Sequence, residues 1–320
     1  MKAAVVSAFD RPPACLEIAE PEVGPRGRLP VRVLAAGLHH VTRGRAAGLH
    51  YSGTGELPFV AGMDGVGRGP DGRLRYFVQG PGEPGTMAER TVIDPHHSIV
   101  LPEGSDPVLI AGAMNPAMAS WLALRCRLPA FRSRWPVGWR RQVVVLGATS
   151  ASGQLAVQIA RHLGAARVIA AGRDRAKLAR LAALGATDAV ALDDESLGEI
   201  ARGADVVLDF VWGETAARMM ERMLRHRADP SRPLDWIHVG SLAGDVAPLP
   251  GAVLRSARLQ VMGSGHGAVS GREILRELPE LARLIARGTF RVDVRPMPLS
   301  AVEQVWNETA PEAGRIVFTP

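Results

Sequence analysis

The stretch VVVLGATSASGQLAVQIARHLG, from Val143 to Gly164, decides the fold of this chain. It begins with an apolar run typical of a buried strand, continues through a turn of small residues, and then has Leu155, Ile159 and Leu163 at helical spacing. A helix that begins directly after such a turn presents unsatisfied N–H groups and a partial positive charge to an anion. The stretch therefore predicts a strand, a phosphate-binding turn and a helix.

The turn departs from the glycine fingerprint of dinucleotide-binding domains at one position. Gly147 and Gly153 match the outer glycines, whereas Ser150 stands where the middle glycine would be. Small residues let a pyrophosphate approach the backbone, and a serine can also hydrogen-bond a phosphate oxygen. An ordinary strand–helix turn is the alternative interpretation. The candidate cofactor contacts in the turn are Gly147, Thr149, Ser150, Ala151, Ser152 and Gly153.

The end of the next predicted strand indicates which dinucleotide would bind. NAD-binding domains place Asp or Glu there, about 20 residues past the glycines, to bind the ribose 2′-hydroxyl. This chain has Gly172 followed by Arg173, whose planar guanidinium suits a 2′-phosphate. Lys177, one turn further on, would add a second positive charge, and Asp174 is expected to cap the next helix. The sequence therefore favours NADPH over NADH.

The segments around and after the turn alternate between strand-like and helix-like sequence. The predicted strands are QVVVLGA, ARVIAAG, DAVAL, DVVLDFV, LDWIHVG and RLQVMG. Continuous apolar strands separated by amphipathic helices indicate a parallel sheet covered on both faces. We therefore predict an α/β fold with a doubly wound Rossmann domain.

The remainder of the chain has shorter strand-like runs broken by Gly and Pro, both before Pro116 and at the C-terminal end. This pattern indicates a small barrel-like β domain. A helix, AMASWLALRCRL, is predicted to follow Pro116. We expect the Rossmann domain to cover residues 118–267 and to be inserted in a β domain made of residues 1–117 and 268–320.

The composition limits the classes of protein to which the chain can belong. Its 320 residues are 47% apolar and 22% charged, as in globular proteins. Cys15 and Cys126 are too few for a disulfide framework or a four-thiolate zinc site. We find no apolar run approaching the roughly 20 residues of a membrane span, and no signal peptide. We therefore expect a cytoplasmic protein with no membrane partner.

The net charge of +6 raises the question of a nucleic-acid partner. The basic residues are scattered, and nearly all are Arg, with lysine only at Lys2 and Lys177. One basic-aromatic cluster, FRSRWPVGWRRQ, lies in a Pro/Gly connector from Phe131 to Gln142. We therefore predict no nucleic-acid partner, an expectation that a steep salt dependence of DNA or RNA binding would contradict.

Six segments, one of them within the stretch quoted above, carry a family resemblance through their order and spacing. They are PFVAGMDGVG (Pro58–Gly67), GTMAERTVI (Gly85–Ile93), AMASWLAL (Ala117–Leu124), GATSASGQLAVQIAR (Gly147–Arg161), DVVLDFVWG (Asp205–Gly213) and GRIVF (Gly314–Phe318). The chain resembles the medium-chain dehydrogenase/reductase superfamily, in its zinc-independent quinone oxidoreductase and enoyl reductase branch. The resemblance implies a GroES-like barrel as the catalytic domain, NADPH as cofactor, and a homodimer paired through the last Rossmann strand, Ala257–Gly263.

The zinc-ligand segments of that superfamily are altered here. Zinc-dependent relatives carry Gly-x-Cys-His and Gly-His-Glu, whereas this chain has GLHHVT, Gly37–Thr42, and GMDG, Gly62–Gly65. His39 replaces the cysteine ligand and Met63 the histidine ligand. Zinc requires three or four Cys, His or carboxylate ligands. We therefore expect no catalytic metal.

Four side chains are candidates for catalysis. The resemblance places the His39–His40 loop beside the nicotinamide and the substrate carbonyl, where a histidine could donate a proton or a hydrogen bond. A solvated or structural role for the two histidines is the alternative. Tyr51 is a candidate acid, and the Asn115 amide could orient a carbonyl or cap a helix. Further candidate cofactor contacts are Gly240, Ser241, Ser264 and Arg315.

The function that fits these residues is direct hydride transfer without a metal. NADPH would reduce a quinone or an α,β-unsaturated carbonyl, with the oxyanion or enolate stabilised by the protein. The alternative is an NADPH-binding redox sensor, or a binding protein with little turnover.

Overall fold

The computed structural model describes residues 1–24, 27–50, 53, 55–80, 82–128, 131, 141–265, 267–308 and 314–320. Tyr51 and residues 132–140 of the basic-aromatic cluster, for which the sequence suggested roles, lie outside the described residues. The strands are β1 (Lys2–Val6), β2 (Ala14–Glu17), β3 (Leu29–Gly37), β4 (Phe59–Val60), β5 (Asp64–Arg68), β6 (Leu74–Val78), β7 (Arg90–Ile93), β8 (Ser98–Val100), β9 (Gln142–Leu146), β10 (Arg167–Gly172), β11 (Asp188–Ala191), β12 (Val206–Asp209), β13 (Leu234–His238), β14 (Leu259–Gly263), β15 (Val294–Pro298) and β16 (Arg315–Thr319). The helices are α1 (His40–Ala46), α2 (Pro107–Arg127), α3 (Ala151–His162), α4 (Arg175–Arg180), α5 (Leu197–Ile200), α6 (Gly213–Arg225), α7 (Gly251–Arg255), α8 (Gly271–Ala286) and α9 (Val302–Val305).

The chain divides into two compact units. The first unit consists of Met1–Pro116 and Ile274–Pro320, and the second of Ala117–Glu273. Each of the two long helices, α2 and α8, therefore contributes residues to both units.

The second unit contains the predicted parallel sheet. Its six strands pair in the order β11-β10-β9-β12-β13-β14, and all five pairings are parallel. The central strands are apolar and buried on both faces, as the uninterrupted apolar runs predicted. The strand order reverses between β9 and β12, so this sheet has the topology of a Rossmann domain, with its switch point at the end of β9.

The first unit is built from two smaller sheets. One has the antiparallel order β2-β1-β4. The other has the order β15-β16-β3-β5-β6-β8, with β7 paired to β3 as well. Among the described residues, β15 and β8 are the two ends of this path and do not pair with each other. The closed barrel that the sequence predicted is therefore not present in the described part of the unit.

Helix α2 corrects two expectations from the sequence. It begins at Pro107 rather than after Pro116, which lies inside the helix. Asn115 is therefore an interior helical residue, and its predicted alternative role as a helix cap is wrong. The apolar run PVLIAGAM shows no clear helical period, and a proline favours the first turn of a helix, so the sequence before Pro116 does not reveal the true start.

Helix α2 is also more apolar than expected. Among the described residues it is the one helix long and apolar enough to cross a membrane by length and composition, with a mean hydropathy of 1.3 over 18 residues. Our expectation that no segment approaches a membrane span was therefore wrong. However, 72% of that window is buried inside the protein, as in the core helix of a globular domain.

Candidate active site

The predicted phosphate turn joins β9 to α3 in the second unit. Gly147 has φ +84°, a left-handed conformation that glycine adopts without a steric penalty. Ser150 has φ −73° and ψ 161°, an extended conformation open to any residue. The backbone therefore requires glycine at 147 but not at 150, which is why this turn accommodates the serine.

The Ser150 side chain has a defined role at the start of α3. Its Oγ accepts a hydrogen bond from the Gly153 N–H at 3.0 Å and so caps the helix. A hydroxyl oxygen that accepts in this way keeps its own O–H to donate. The predicted contact of Ser150 with a phosphate stays a prediction. Ala151 and Ser152, which follow the cap, form the first positions of α3.

Two glycines bring the turn into close contact with its surroundings. A Cβ atom on Gly153 would lie 2.2 Å from the Gly147 carbonyl oxygen and 2.7 Å from the Ala148 Cα. A Cβ atom on Gly172, at the end of β10, would lie 2.6 Å from the Thr149 Cγ2. The structure therefore brings the predicted residues Gly147, Thr149, Gly153 and Gly172 together at the carboxyl edge of the sheet.

Arg173 and Lys177 differ in how free their charges are. Arg173 follows β10 directly, is exposed, and has no ion pair among the described residues. Asp174 caps α4 by accepting from the Lys177 N–H at 3.0 Å, as predicted, and the Lys177 Nζ lies 3.5 Å from its Oδ2. The backbone and side chain of Lys177 lower the pKa of Asp174. Arg173 is consequently the more available cation for a phosphate group.

The remaining predicted cofactor residues of the second unit follow β13 and β14. The Gly240 N–H donates to the Asp209 carbonyl at 3.2 Å, and the Ser241 Oγ lies 3.2 Å from the His238 Nε2. The Ser264 N–H donates to the His238 carbonyl at 2.9 Å. These contacts fix the loops at the carboxyl ends of the parallel strands, where ligands of open α/β sheets bind.

The first unit holds a buried hydrogen-bond network around His39. The His39 Nε2 lies 2.9 Å from the Asp64 Oδ1, and the Tyr76 hydroxyl donates to the Asp64 Oδ2 at 2.7 Å. The Asp64 carbonyl accepts from the Thr86 Oγ1 at 2.6 Å. His39, Asp64 and Tyr76 are all almost completely buried. Burial, followed by the nearby Asp64 carboxylate, raises the pKa of Tyr76, so its hydroxyl remains a donor.

Arg315 completes this network from β16. Its Nη2 lies 2.7 Å from the His39 Nδ1. Because a guanidinium can only donate, His39 Nδ1 accepts, and its Nε2–H donates to Asp64. Burial lowers the pKa of Arg315 to about 10, against the opposing effect of Asp64. Among the described residues, no carboxylate forms a direct ion pair with this guanidinium.

Both ring nitrogens of His39 are therefore engaged, which favours a positioning role over proton donation.

His40 begins α1, and desolvation, followed by the charges of Arg43 and Arg315, lowers its pKa. His40 is thus neutral near pH 7 and has no imidazolium proton to donate. The catalytic roles suggested for His39, His40 and Asn115 stay predictions.

Sequence reasoning missed Asp64 and Tyr76. Asp64 is the third residue of GMDG, a segment weighed only for the missing zinc ligand Met63. The adjacent strands β5 and β6 place Tyr76 opposite Val66, two residues from Asp64 and therefore on the same face. The available signal was an acidic residue at the start of the short run DGVG, Asp64–Gly67.

Replacing Tyr76 with phenylalanine should destabilise the protein by about 1–2 kcal/mol, because the buried Asp64 Oδ2 loses its donor. Urea unfolding at pH 7 would measure this. Ser98→Ala, which removes an exposed hydroxyl bound to the Pro95 carbonyl, should change stability by less than about 0.5 kcal/mol. Equal stability of Tyr76→Phe and the parent protein would contradict the stabilising role of the Tyr76 hydroxyl.

The chain is similar to known dehydrogenases and quinone reductases in sequence and in structure. Residues 151–230 match the family model described as zinc-binding dehydrogenase. A protein of Emericella nidulans named "probable NADPH-dependent quinone reductase tdiC" is 29% identical over 365 residues, covering all of both chains. The structure of the quinone oxidoreductase from Thermus thermophilus, also studied with NADPH, superimposes with a TM-score of 0.82 and 27% identity over all of both chains. These matches confirm the resemblance of the chain to the medium-chain dehydrogenase/reductase superfamily.

The two proteins that match the whole chain are named as a quinone reductase and a quinone oxidoreductase, in agreement with the zinc-independent branch predicted from the sequence. A quinone oxidoreductase from Pseudomonas syringae pv. tomato shares the fold, with a TM-score of 0.81 and 21% identity over all of both chains.

A zinc ion, which the family description names, does not fit the residues of this chain. His39 has no free ring nitrogen, since one bonds Asp64 and the other accepts from the Arg315 cation. Met63 occupies the second ligand position. In the described part of the chain, no group of three or more His, Cys, Asp or Glu side chains is arranged to hold a metal ion.

Proposed function

We propose that this protein is an NADPH-dependent reductase that transfers a hydride to a quinone or to an α,β-unsaturated carbonyl. The observation that carries the proposal is the strand–turn–helix at Gly147–Gly153 with the exposed Arg173 at the end of the neighbouring strand. The names of the relatives that match the whole chain, an NADPH-dependent quinone reductase and a quinone oxidoreductase, support the same activity.

The residues of the second unit fit the cofactor. Side chains are absent at Gly147 and Gly153, so a pyrophosphate can approach the turn and the N-terminus of α3. Arg173 would hold the 2′-phosphate, for which its planar fork of donors is suited. When bound, the reduced nicotinamide supplies the hydride for the reaction.

The residues of the first unit supply positive charge. Reduction of a quinone or an enone places negative charge on the acceptor oxygen, which a fixed donor stabilises. In this proposal Arg315 is that donor, and His39 holds the guanidinium in place through the hydrogen bond to its Nδ1. Asp64 and Tyr76 fix the tautomer of His39. The proton that completes the product then comes from solvent.

Replacing Arg173 with aspartate should reduce the preference for NADPH over NADH by about 100-fold, because a charge-assisted contact to the 2′-phosphate becomes a repulsion. Titration of the two cofactors by calorimetry measures this ratio. Arg175→Asp is the matched control, since Arg175 is exposed, lies two residues away and faces Asp193 at 3.7 Å. An unchanged preference in Arg173→Asp would show that the 2′-phosphate site lies elsewhere.

A second candidate function is an NADPH-binding redox sensor, or a binding protein with little turnover. The engagement of both His39 ring nitrogens favours it, because no proton donor is then assigned with a free N–H. Binding of NADPH without its oxidation by any quinone or enone would support this candidate.

Assembly and location complete the proposal. The exposed strand β14 is one edge of the parallel sheet, and its Val261 side chain is 37% exposed. We propose that two copies of the chain pair along β14. We also propose that the first unit corresponds to the GroES-like domain of relatives and that the protein works in the cytoplasm. An open edge with an exposed apolar residue is a ready template for pairing. Light scattering of Val261→Pro, expected to be monomeric, tests the pairing.

A further inference from the structure

Trp212 has an unusual backbone conformation for a residue with a side chain. Its φ is +52° and its ψ is −160°, a combination that glycine adopts and that other residues almost never do. Among the described residues it is the one non-glycine residue with positive φ. It directly precedes α6, and Gly213 after it also has positive φ, +65°. A glycine would occupy this position without strain.

The strained backbone is held in place by Asp209, at the end of β12. The Asp209 Oδ1 accepts from the Val211 N–H at 2.8 Å and from the Trp212 N–H at 2.9 Å. The Asp209 Oδ2 accepts from the Trp236 Nε1 at 2.9 Å. Asp209 is fully buried, and burial raises its pKa despite these donors. The conformation of Trp212 is therefore imposed by a rigid buried anchor.

The Trp212 indole packs on His238, at the end of the adjacent strand β13. The two ring centroids lie 4.4 Å apart, with the planes inclined by 42°. Desolvation lowers the pKa of His238, against the opposing charges of Asp209 and Asp245, so its imidazole is neutral near pH 7. The His238 Nε2 contacts the Ser241 Oγ, which fixes the ring. Trp212 remains only partly buried.

The loop that leads to this aromatic pair lies beside the phosphate turn. A Cβ atom on Gly147 would lie 3.3 Å from both the Phe210 Cβ and the Val211 Cγ2, in the loop that leads to Trp212. A dinucleotide bound to a Rossmann sheet extends across the switch point, with one nucleotide on each side. Arg173 follows β10, on one side of β9, whereas Trp212 and His238 follow β12 and β13, on the other. If Arg173 binds the adenosine half, the nicotinamide half lies on the side of Trp212.

We infer that Trp212 and His238 form an aromatic shelf on which the nicotinamide ring of NADPH stacks. The inference rests on the proposed function, because it assumes that NADPH binds with its 2′-phosphate at Arg173. Planar rings in offset contact attract each other beyond the area they bury. Since glycine would fit the backbone better, the indole gives the site this flat surface in spite of local strain.

Two variants separate the ring from the backbone strain. Trp212→Gly and Trp212→Ala both remove the indole, but only glycine relieves the strain. Both should weaken NADPH binding by about 3- to 10-fold, whereas Trp212→Phe should retain most of the affinity. The glycine variant should melt at least about 2 °C above the alanine variant. Calorimetric titration and thermal unfolding measure these effects.

Adenosine 2′,5′-bisphosphate, which has the 2′-phosphate but no nicotinamide, is the control ligand. Its affinity should be the same in the parent protein and in all three variants. Unchanged NADPH affinity in Trp212→Gly and Trp212→Ala would overturn the shelf, and so would an equal loss of both ligands. A parent protein that binds neither ligand would instead overturn the proposed function, so the two failures are distinguishable.

Discussion

Replacing Gly153 with alanine is expected to abolish measurable binding of NADPH, with an affinity at least about 100-fold lower. The added methyl would lie 2.2 Å from the Gly147 carbonyl oxygen and 2.7 Å from the Ala148 Cα. Both neighbours are backbone atoms, so the turn and the start of α3 must move apart, and the N–H groups that face a pyrophosphate lose their arrangement. Calorimetric titration with NADPH measures the loss.

Gly271→Ala is the matched control for this substitution. Gly271 lies in the same unit, at the start of α8, and a Cβ atom there would meet no atom within 4 Å. We expect this variant to bind NADPH like the parent protein. Normal binding by Gly153→Ala would mean that the turn at Gly147–Gly153 does not hold the cofactor. Circular dichroism of both variants would establish that they remain folded.

Replacing Arg315 with methionine is expected to lower kcat by about 100-fold or more, as loss of a donor to a developing oxyanion does in other enzymes. The affinity for adenosine 2′,5′-bisphosphate should not change, since Arg173 in the second unit is proposed to bind the 2′-phosphate. Arg315→Lys keeps the charge but not the planar fork, so part of the activity should return. Arg68→Met, which removes an exposed guanidinium bound to the Gly72 carbonyl, should be fully active.

The pKa of Arg315 adds a pH dependence to this prediction. Burial lowers that pKa to about 10, so the guanidinium is charged at neutral pH and loses its proton as the pH rises through about 10. The activity that depends on the charge should therefore fall above about pH 10. The folded pKa is below the unfolded pKa, so burying the charge opposes folding at neutral pH, and this penalty is relieved above about pH 10. Full activity in Arg315→Met, or no decline in alkali while the protein stays folded, would contradict the role of Arg315.

The parallel sheet could be predicted from the sequence because its signals are local. The strands β9, β10 and β12 are mostly apolar runs, and each run has the length of a single strand. The start of α2 was missed because Pro116 lies inside the helix and the residues before it show no clear helical period. The closed barrel was expected because short strands broken by Gly and Pro do not reveal whether the last strand meets the first.

The His39 network could not be predicted because its parts are distant in the sequence. Arg315 and His39 are 276 residues apart, and they meet only because β16 pairs with β3. Asp64 and Tyr76 join them because β5 and β6 are the next strands in the same sheet. The conformation of Trp212 was equally hidden, since the sequence gives no sign of a positive φ at a tryptophan. The spacing of residue types along the sequence predicts local structure. The His39 network and the conformation of Trp212 depend instead on strand order and on buried hydrogen bonds.

The central claim is that the protein catalyses hydride transfer from NADPH to a conjugated acceptor. The most direct test incubates the protein with NADPH deuterated at the reactive C4 position, in buffer treated with a metal chelator, and with panels of quinones and enones. We predict oxidation of NADPH followed by its absorbance, with one deuterium at the β-carbon of any reduced enone, or formation of the hydroquinone from a quinone. Tight binding of NADPH without oxidation by either panel would contradict the claim and leave the protein as a nucleotide-binding protein.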